Sequence, residues 1–137
     1  MANEEQLAIL RQGVGVWNKW QAQNRSVGID LTGIDLTDAD LSRAHLSGTC
    51  LTGADLTEAD LMRANLRANL SWAVLRGSNL REANLAGADL TQSDLTQVDL
   101  KEASLSESDL IDKSSKSHTI EEWQKENLNS ANKNGKS

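Results

Sequence analysis

The chain has 137 residues, which favours a single domain, and its formal net charge is −6. Aromatic residues make up only 3 %, as four Trp with no Phe or Tyr, which indicates a core built from one small repeated unit. The acidic charge argues against general nucleic-acid binding, which needs basic clusters. Cys50 is the only cysteine, so no internal disulfide can form. Neither a secretory signal nor an apolar run of about 18 residues is present, so we expect a cytoplasmic protein without membrane contact.

Residues 1–28 are predicted to form an N-terminal capping helix and a linker. Apolar residues recur there at the spacing typical of one face of a helix, and Trp20 extends the stripe. Gly13 and Gly15 weaken this helix from within. A separate amphipathic helix that binds a membrane or a partner is the alternative, although its polar face lacks a basic stripe. The residues that set the spacing are Leu7, Leu10, Val14 and Trp17.

A five-residue pattern runs through residues 29–112, beginning IDLTG IDLTD ADLSR AHLSG. A period of five advances successive leucines by about 140° around a helix, and it throws them onto opposite faces of a strand. The leucines converge only if the backbone bends once per repeat around a common axis. Each central leucine, and the small residue two positions before it, then lies inside a coil. The central leucines are Leu31, Leu36, Leu41, Leu46, Leu51, Leu56, Leu61, Leu66, Leu70, Leu75, Leu80, Leu85, Leu90, Leu95, Leu100, Leu105 and Leu110.

The motif A(D/N)Lxx, repeated over residues 29–112, resembles the pentapeptide-repeat family. Members of that family form right-handed quadrilateral β-helices with four repeats per coil. The resemblance therefore implies an all-β solenoid of about four coils. It also implies that the segment RQGVGVWNKWQAQN covers the first coil, because this segment is similar to the capping region of short cyanobacterial members.

Residues 113–137 are predicted to contain a linker, a short C-terminal capping helix and a polar tail. Thr119 and Glu122 have the spacing of a capping box at the start of a helix. Ile120 and Trp123 then lie on one side of that helix, where we expect them to close the last coil. The tail from residue 127 onward has the polar composition of a disordered segment.

The spacing between Leu66 and Leu70 is four rather than five residues. The coil must absorb the missing residue as a tightened corner or a small bulge. With four repeats per coil, the nearby Trp72 points outward between Gly53 below and Gln92 above. Two interpretations are open: the indole anchors a partner protein, or it lies flat over Gly53 and buries its own ring.

Arginines near Trp72 complete a candidate partner-binding surface, because tryptophan beside arginine has the composition of a binding hot spot. The candidate residues are Arg67, Trp72, Arg76, Arg81 and Arg63. Two neighbouring outward columns are also predicted, and they form either a recognition stripe or a solvated ladder of weak ion pairs. One column holds Arg43, Arg63, Glu82 and Glu102, and the other holds Met62, Arg81 and Lys101.

Chemistry-bearing residues form no catalytic constellation in the sequence. His45 and Cys50 precede central leucines on adjacent faces, where they are either a Cys–His dyad or two tolerated substitutions for Asp. Stacked aspartates, such as Asp35 and Asp55, could hold a hard cation, but no glycine-bounded ligand loop supports that site. An aspartate bonded to its own turn is the simpler interpretation. We therefore expect no enzyme activity, no cofactor and no metal.

The predicted function is a non-enzymatic interaction or scaffold module, which binds an unidentified protein partner through a lateral face of a rigid solenoid. The alternative is a DNA mimic, since some pentapeptide-repeat proteins resemble duplex DNA and bind DNA gyrase or topoisomerase, protecting them from quinolones. Residues 29–112 carry a net charge of −9, which favours the alternative. Three features count against it: the rod is short, the central coils carry arginines, and the C-terminal tail lacks the large hydrophobic module that those proteins use to dimerise. A monomer is favoured over a dimer.

Overall fold

The computed structural model describes residues 2–106 and 108 of the chain. Two helices precede the repeats, α1 (Glu4–Arg11) and α2 (Val14–Gln23). The side chain of Asn3 caps α1 by accepting a hydrogen bond from the Gln6 backbone N–H at 3.0 Å. Neither helix of this described part is long and apolar enough to cross a membrane.

Gly13 divides the N-terminal segment into two helices, so the prediction of one continuous helix is wrong. The φ of Gly13 is +116°, a conformation that only glycine adopts readily and that no α-helix contains. The apolar stripe nevertheless faces the repeats. Leu10 and Trp17 are buried, while Leu7 and Val14 are half-buried against the same core.

Beyond α2 the chain returns to the same lateral position after every four pentapeptides. Isolated parallel bridges join residues 20 apart, as in Asp30 with Cys50. Where the pair spans the short spacing after Leu66, the separation is 19, as in Asn65 with Asn84. Coil 1 (29–48), coil 2 (49–67), coil 3 (68–87) and coil 4 (from 88) are therefore stacked on one another.

Each coil has four faces, and we name each face by the bridged residues that it stacks from coil 1 to coil 4. Face 1 holds Asp30, Cys50, Asn69 and Asp89; face 2 holds Asp35, Asp55, Val74 and Asp94; face 3 holds Asp40, Asp60, Asn79 and Asp99; face 4 holds His45, Asn65, Asn84 and Ser104. A corner joins each face to the next.

Every bridge stands alone, and no strand longer than one bridged residue occurs within the described residues. The reason is the two-residue turn at each regular corner, whose second residue has positive φ, as at Gly33 (+68°) and Asp38 (+61°). The expected all-β character is thus present only as single bridged residues between turns. Hydrogen bonds within the turns explain why Asp and Thr recur in the repeats. The N–H and the hydroxyl of Thr57, for example, both donate to Asp55 Oδ1, at 3.0 and 2.6 Å.

Successive coils are held together by a backbone hydrogen-bond ladder. In coils 1 to 3, the N–H of each central leucine donates to the bridged residue one coil above, as from Leu31 to the Cys50 carbonyl at 2.8 Å. The second corner residue also donates upward, as from Gly33 to the Thr52 carbonyl at 2.9 Å. This ladder satisfies backbone groups that coil stacking removes from water.

The interior is filled by the central leucines and the small residues two positions before them. The leucines from Leu31 to Leu105 are at most 9 % exposed. Alanines such as Ala54 and Ala64 are fully buried beside them. Leu110, the predicted cap residues Ile120 and Trp123, and the predicted C-terminal helix and tail lie outside the described residues.

The two helices cover the lower end of coil 1. Their side chains form hydrogen bonds with its backbone, as the backbone of a further coil would. Asn18 accepts from the His45 N–H at 2.8 Å and donates to the Arg43 carbonyl at 3.1 Å. The indole N–H of Trp17 donates to the His45 carbonyl at 2.8 Å. Gln6 pairs in the same way with the Asp30 N–H and the Gly28 carbonyl. Such pairing blunts an open edge that could otherwise associate with another chain.

Candidate partner-binding surface

Trp72 occupies the corner between faces 1 and 2 in coil 3. The ladder places it above Gly53 and below Gln92, because Gly53 donates to the Ser71 carbonyl and Trp72 donates to the Thr91 carbonyl, each at 2.9 Å. This column is the one predicted from four repeats per coil. Trp72 is 62 % exposed, and a Cβ added to Gly53 would meet nothing within 4 Å. The interpretation that the indole lies flat over Gly53 and buries its own ring is therefore wrong.

The backbone of Trp72 has the positive φ of its corner turn. Its φ is +61°, in the left-handed region, which costs a non-glycine residue about 1–2 kcal/mol. Glycine fills the same corner in coils 1 and 2, as Gly33 and Gly53. Eight other non-glycine corner residues have the same positive φ, among them Gln92 (+60°) directly above, so this conformation belongs to the corner turn and is not peculiar to Trp72.

Arg76 lies on the opposite side of face 2 from Trp72. Its guanidinium contacts Asp94 Oδ2, in the coil above, at 3.4 Å. The Asp94 side chain is only 10 % exposed and also accepts from Thr96, so it holds the arginine against the coil. Val74 lies between Trp72 and Arg76 as the bridged residue of face 2. Trp72, Val74 and Arg76 thus form one continuous part of the surface.

Arg67 occupies the shortened corner between faces 4 and 1. At every regular corner in coils 1 to 3, the backbone N–H of the second corner residue donates to the carbonyl of the first corner residue one coil above. The residue that would supply this N–H is missing after Arg67, and the carbonyl of Ala86 stands above the gap. Arg67 Nε donates to that carbonyl at 3.3 Å. The predicted tightened corner is therefore completed by a side chain, which gives Arg67 a structural role.

Arg63 in coil 2 and Arg81 in coil 3 share the corner between faces 3 and 4, away from Trp72, and the Arg63 N–H donates to the Arg81 carbonyl at 2.9 Å. Arg63 pairs with Glu82 at 2.9 Å, and Arg81 approaches Asp99 at 3.9 Å, both with exposed side chains. Exposed pairs of this kind contribute little to stability. These contacts fit the solvated ladder better than the recognition stripe.

The five candidate residues do not converge on one surface. Trp72 and Arg76 border face 2, Arg67 lies between faces 4 and 1, and Arg63 and Arg81 border face 3. Sequence proximity suggested a single cluster, but one repeat advances the chain by a whole face. We therefore keep Trp72 and Arg76 from the five candidates and add Val74, which lies between them on face 2.

The stacked pentapeptides and their corner turns are typical of a known protein family. The family model for pentapeptide repeats matches residues 29–67 and 68–107. This chain belongs to the pentapeptide repeat family. The resemblance seen in its A(D/N)Lxx motif is thereby confirmed.

Solved pentapeptide repeat proteins from cyanobacteria are similar to this chain. HetL, a protein involved in heterocyst differentiation regulation from Nostoc sp. Strain PCC 7120, is 38 % identical with a TM-score of 0.60. The alignment covers 65 % of this chain but only 43 % of HetL. The pentapeptide repeat protein alr5209 from Nostoc PCC 7120 is 34 % identical with a TM-score of 0.56, over 62 % of this chain and 71 % of alr5209. No curated protein matches the sequence.

A more distant similarity exists to QnrB1, a plasmid-mediated fluoroquinolone resistance protein. The identity is 20 % and the TM-score 0.47, over 56 % of this chain and 48 % of QnrB1. A similarity at this level carries no argument about the function of this chain.

Among the residues that the structure describes, Cys50 and His45 do not form a Cys–His dyad. Cys50 Sγ lies 3.2 Å from Thr32 Oγ1 and 3.5 Å from Thr52 Oγ1, in the position that Asp or Asn takes elsewhere on face 1. The hydrogen bond with Thr32, followed by that with Thr52, lowers the pKa of the Cys50 thiol. The backbone of His45 is bonded to α2. The two residues act as substitutions in a turn position that usually carries Asp or Asn.

Stacked aspartates also fail to build a cation site in the described residues, where no three His, Cys, Asp or Glu side chains form a group that could hold a metal ion. Each carboxylate is used by its own turn. The Thr37 hydroxyl and then its N–H lower the pKa of Asp35, and Ser42 acts in the same way on Asp40. The turn-bonding interpretation of these aspartates is the one that their geometry supports.

Proposed function

We propose that this chain is a non-enzymatic interaction module that binds a protein partner through Trp72, Val74 and Arg76. The observation that supports this most strongly is Trp72 itself, a large apolar side chain that is 62 % exposed. Exposed tryptophan and arginine are the residues that most often dominate binding energy.

The body that carries this surface is proposed to be the right-handed quadrilateral β-helix of the family. The stacked bridges and the ladder between coils support this proposal. A stiff body reduces the entropy that binding must remove, so a small surface can still bind usefully. A cytoplasmic location and a monomeric state stay predictions.

Affinity capture from the native cell, followed by mass spectrometry, tests the proposal. Trp72→Gly removes the indole and relaxes the backbone, so the variant is expected to fold. Gln97→Gly is the matched control, because Gln97 has the same positive φ (+59°) at another corner. We expect a partner that the wild type and Gln97→Gly capture and Trp72→Gly loses. Equal capture of every partner by all three proteins would show that Trp72 is not the anchor.

A DNA mimic that binds gyrase or topoisomerase is a second candidate, supported by the net charge of −9 on residues 29–112. Arg63, Arg67, Arg76 and Arg81 interrupt this acidic surface in the central coils. A supercoiling assay with purified gyrase, with and without a quinolone, separates the two functions. Inhibition or protection by the wild type that persists in Trp72→Gly would favour the DNA mimic over a Trp72-dependent module.

A further inference from the structure

A cleft of about 330 Å³ lies at the shortened corner between faces 4 and 1, on the other side of face 1 from Trp72. It occurs where the corner residue after Arg67 is missing. Small-molecule sites in proteins have volumes of about 300–1,000 Å³, so this cleft has room for a small ligand. Its lining includes Thr49, Cys50, Arg67 and Asp89. We call it the corner cleft.

Thr49 brings to the corner cleft a buried hydroxyl that has no partner. The residue is 1 % exposed, and its Oγ1 forms no hydrogen bond within the described part of the chain. Ser93 occupies the equivalent position before a central leucine, and its hydroxyl donates to the Leu90 carbonyl at 2.7 Å. A buried polar group without a partner needs an explanation, and a bound molecule or a redox role are two of them. Ser78 also has an unpartnered hydroxyl but does not line the cleft, which makes it a matched control.

Two opposite charges in the corner cleft are available to a ligand. Among the described residues Arg67 has no acidic partner, whereas each of the other three candidate arginines approaches one. Its Nε is bonded to the Ala86 carbonyl, which leaves the two terminal nitrogens of the guanidinium to bind a carboxylate. Asp89 accepts the Thr91 N–H through Oδ1 at 3.0 Å, so its Oδ2 can accept from an ammonium group. The lining therefore suits a small molecule that carries both a carboxylate and an ammonium group.

Cys50 supplies a reactive group to the same cleft. Its thiol is half-buried and takes the position that Asp or Asn occupies elsewhere on face 1. The hydrogen bond with Thr32 and then that with Thr52 lower the pKa of this thiol. A lowered pKa increases the fraction of thiolate, which is the form that attacks a disulfide.

We propose that the corner cleft is a thiol-modification site, where Cys50 forms a mixed disulfide with a small disulfide that carries carboxylate and ammonium groups. The Cys50 thiol loses its proton, and the thiolate attacks one sulfur of the small disulfide. A new S–S bond forms and the old one breaks. The departing thiolate takes the electron pair of the broken bond and gains a proton. Cys50 is thus oxidised, and one half of the small disulfide is reduced.

The other lining residues hold the half that stays attached. Arg67 pairs with its carboxylate, and Asp89 accepts a hydrogen bond from its ammonium group. The Thr49 hydroxyl gains a hydrogen bond that the fold does not give it. This site lies apart from Trp72, Val74 and Arg76, so it is independent of the proposed function.

Two small disulfides test the proposal on the reduced, full-length chain. Oxidised glutathione is the probe, because it carries carboxylate and ammonium groups, and bis(2-hydroxyethyl) disulfide, which carries neither, is the reference. Intact-mass spectrometry measures the rate of adduct formation with each. We expect a larger ratio of the glutathione rate to the reference rate for the folded wild type than for the urea-unfolded chain. Cys50→Ser should form no adduct, since Cys50 is the only cysteine.

Two variants locate the selectivity in the corner cleft. Arg67→Gln removes the charge but keeps an N–H donor for the Ala86 carbonyl. Its rate with oxidised glutathione should fall about twofold to fivefold, as expected for the loss of an exposed ion pair, with the reference rate unchanged. Arg81→Gln, outside the cleft, should change neither rate. Thr49→Val should lower the same rate ratio, whereas Ser78→Ala should not.

Equal rate ratios for the folded and the unfolded chain would show that Cys50 is an ordinary surface thiol and would overturn the proposal. An Arg67→Gln variant that is folded by circular dichroism and keeps the wild-type ratio would also overturn it. The comparison of folded with unfolded wild type needs no substitution, so it decides the question even if a variant does not fold.

Discussion

Arg67 offers the sharpest test of how the shortened corner is stabilised. Replacing Arg67 with Ala removes the Nε–H that donates to the Ala86 carbonyl at 3.3 Å. A hydrogen bond from a charged group contributes about 1.5–3 kcal/mol and a neutral one about 0.5–1.5 kcal/mol. The long distance and the exposed arginine place this bond at the lower end, so we expect a loss of about 1 kcal/mol in the free energy of unfolding.

Restoring the missing residue should make Arg67 dispensable. A glycine inserted between Arg67 and Ala68 returns the repeat to five residues, and its backbone N–H can donate to the Ala86 carbonyl as at the regular corners. In this background, Arg67→Ala should cost no more than about 0.5 kcal/mol, which is the usual size of a surface substitution that removes no structural contact. Urea unfolding, followed by circular dichroism, measures the four free energies of this cycle.

Arg81→Ala is the control for the general loss of a surface arginine. Its Nε lies 3.9 Å from Asp99 Oδ2 on an exposed face, so the expected cost is below about 0.5 kcal/mol. An Arg67→Ala cost that is the same with and without the inserted glycine would refute the claim that Arg67 completes the ladder.

Three further predictions concern the cap, the core and the turns. Trp17→Phe removes the indole N–H bonded to the His45 carbonyl at 2.8 Å and should lower the free energy of unfolding by about 1–3 kcal/mol, measured in urea, with an unchanged value contradicting the cap assignment. Leu70→Ala at a fully buried position should cost about 2–5 kcal/mol in the same assay, and a cost below 1 kcal/mol would contradict its burial. The folded-state pKa values of Asp30 and Asp35 are lowered by turn hydrogen bonds, so their stabilisation is present above the ordinary aspartate pKa of about 3.9 and is lost as pH falls through the lowered values. Urea midpoints at pH 7 and pH 3 should therefore differ less in a variant with both residues changed to Asn than in the wild type, and identical differences would refute this assignment.

The N-terminal segment shows where local pattern reading succeeded and failed. The spacing of Leu10 and Trp17 predicted an apolar stripe, and both side chains are buried against coil 1. The break into α1 and α2 was not predicted, because Gly13 is a weak helix residue whose actual φ of +116° depends on how both helices pack below the coil. The hydrogen bonds between Asn18 and coil 1 could not be predicted from local patterns either, since they join residues 25 and 27 positions apart.

The sequence by itself determined the repeat, because a period of five can bury the leucines only in a backbone that turns once per repeat. It also determined the Trp72 column, once four repeats per coil were assumed, and the place of the irregular corner. The tertiary structure decided which outward residues are neighbours: Trp72 and Arg76 share face 2, whereas Arg63, Arg67 and Arg81 lie elsewhere. It also decided that Arg67 completes the ladder and that Trp72 is exposed. The physical reason is that lateral contacts in stacked coils join residues 19 or 20 apart, and the rotamer at each corner depends on the coils above and below.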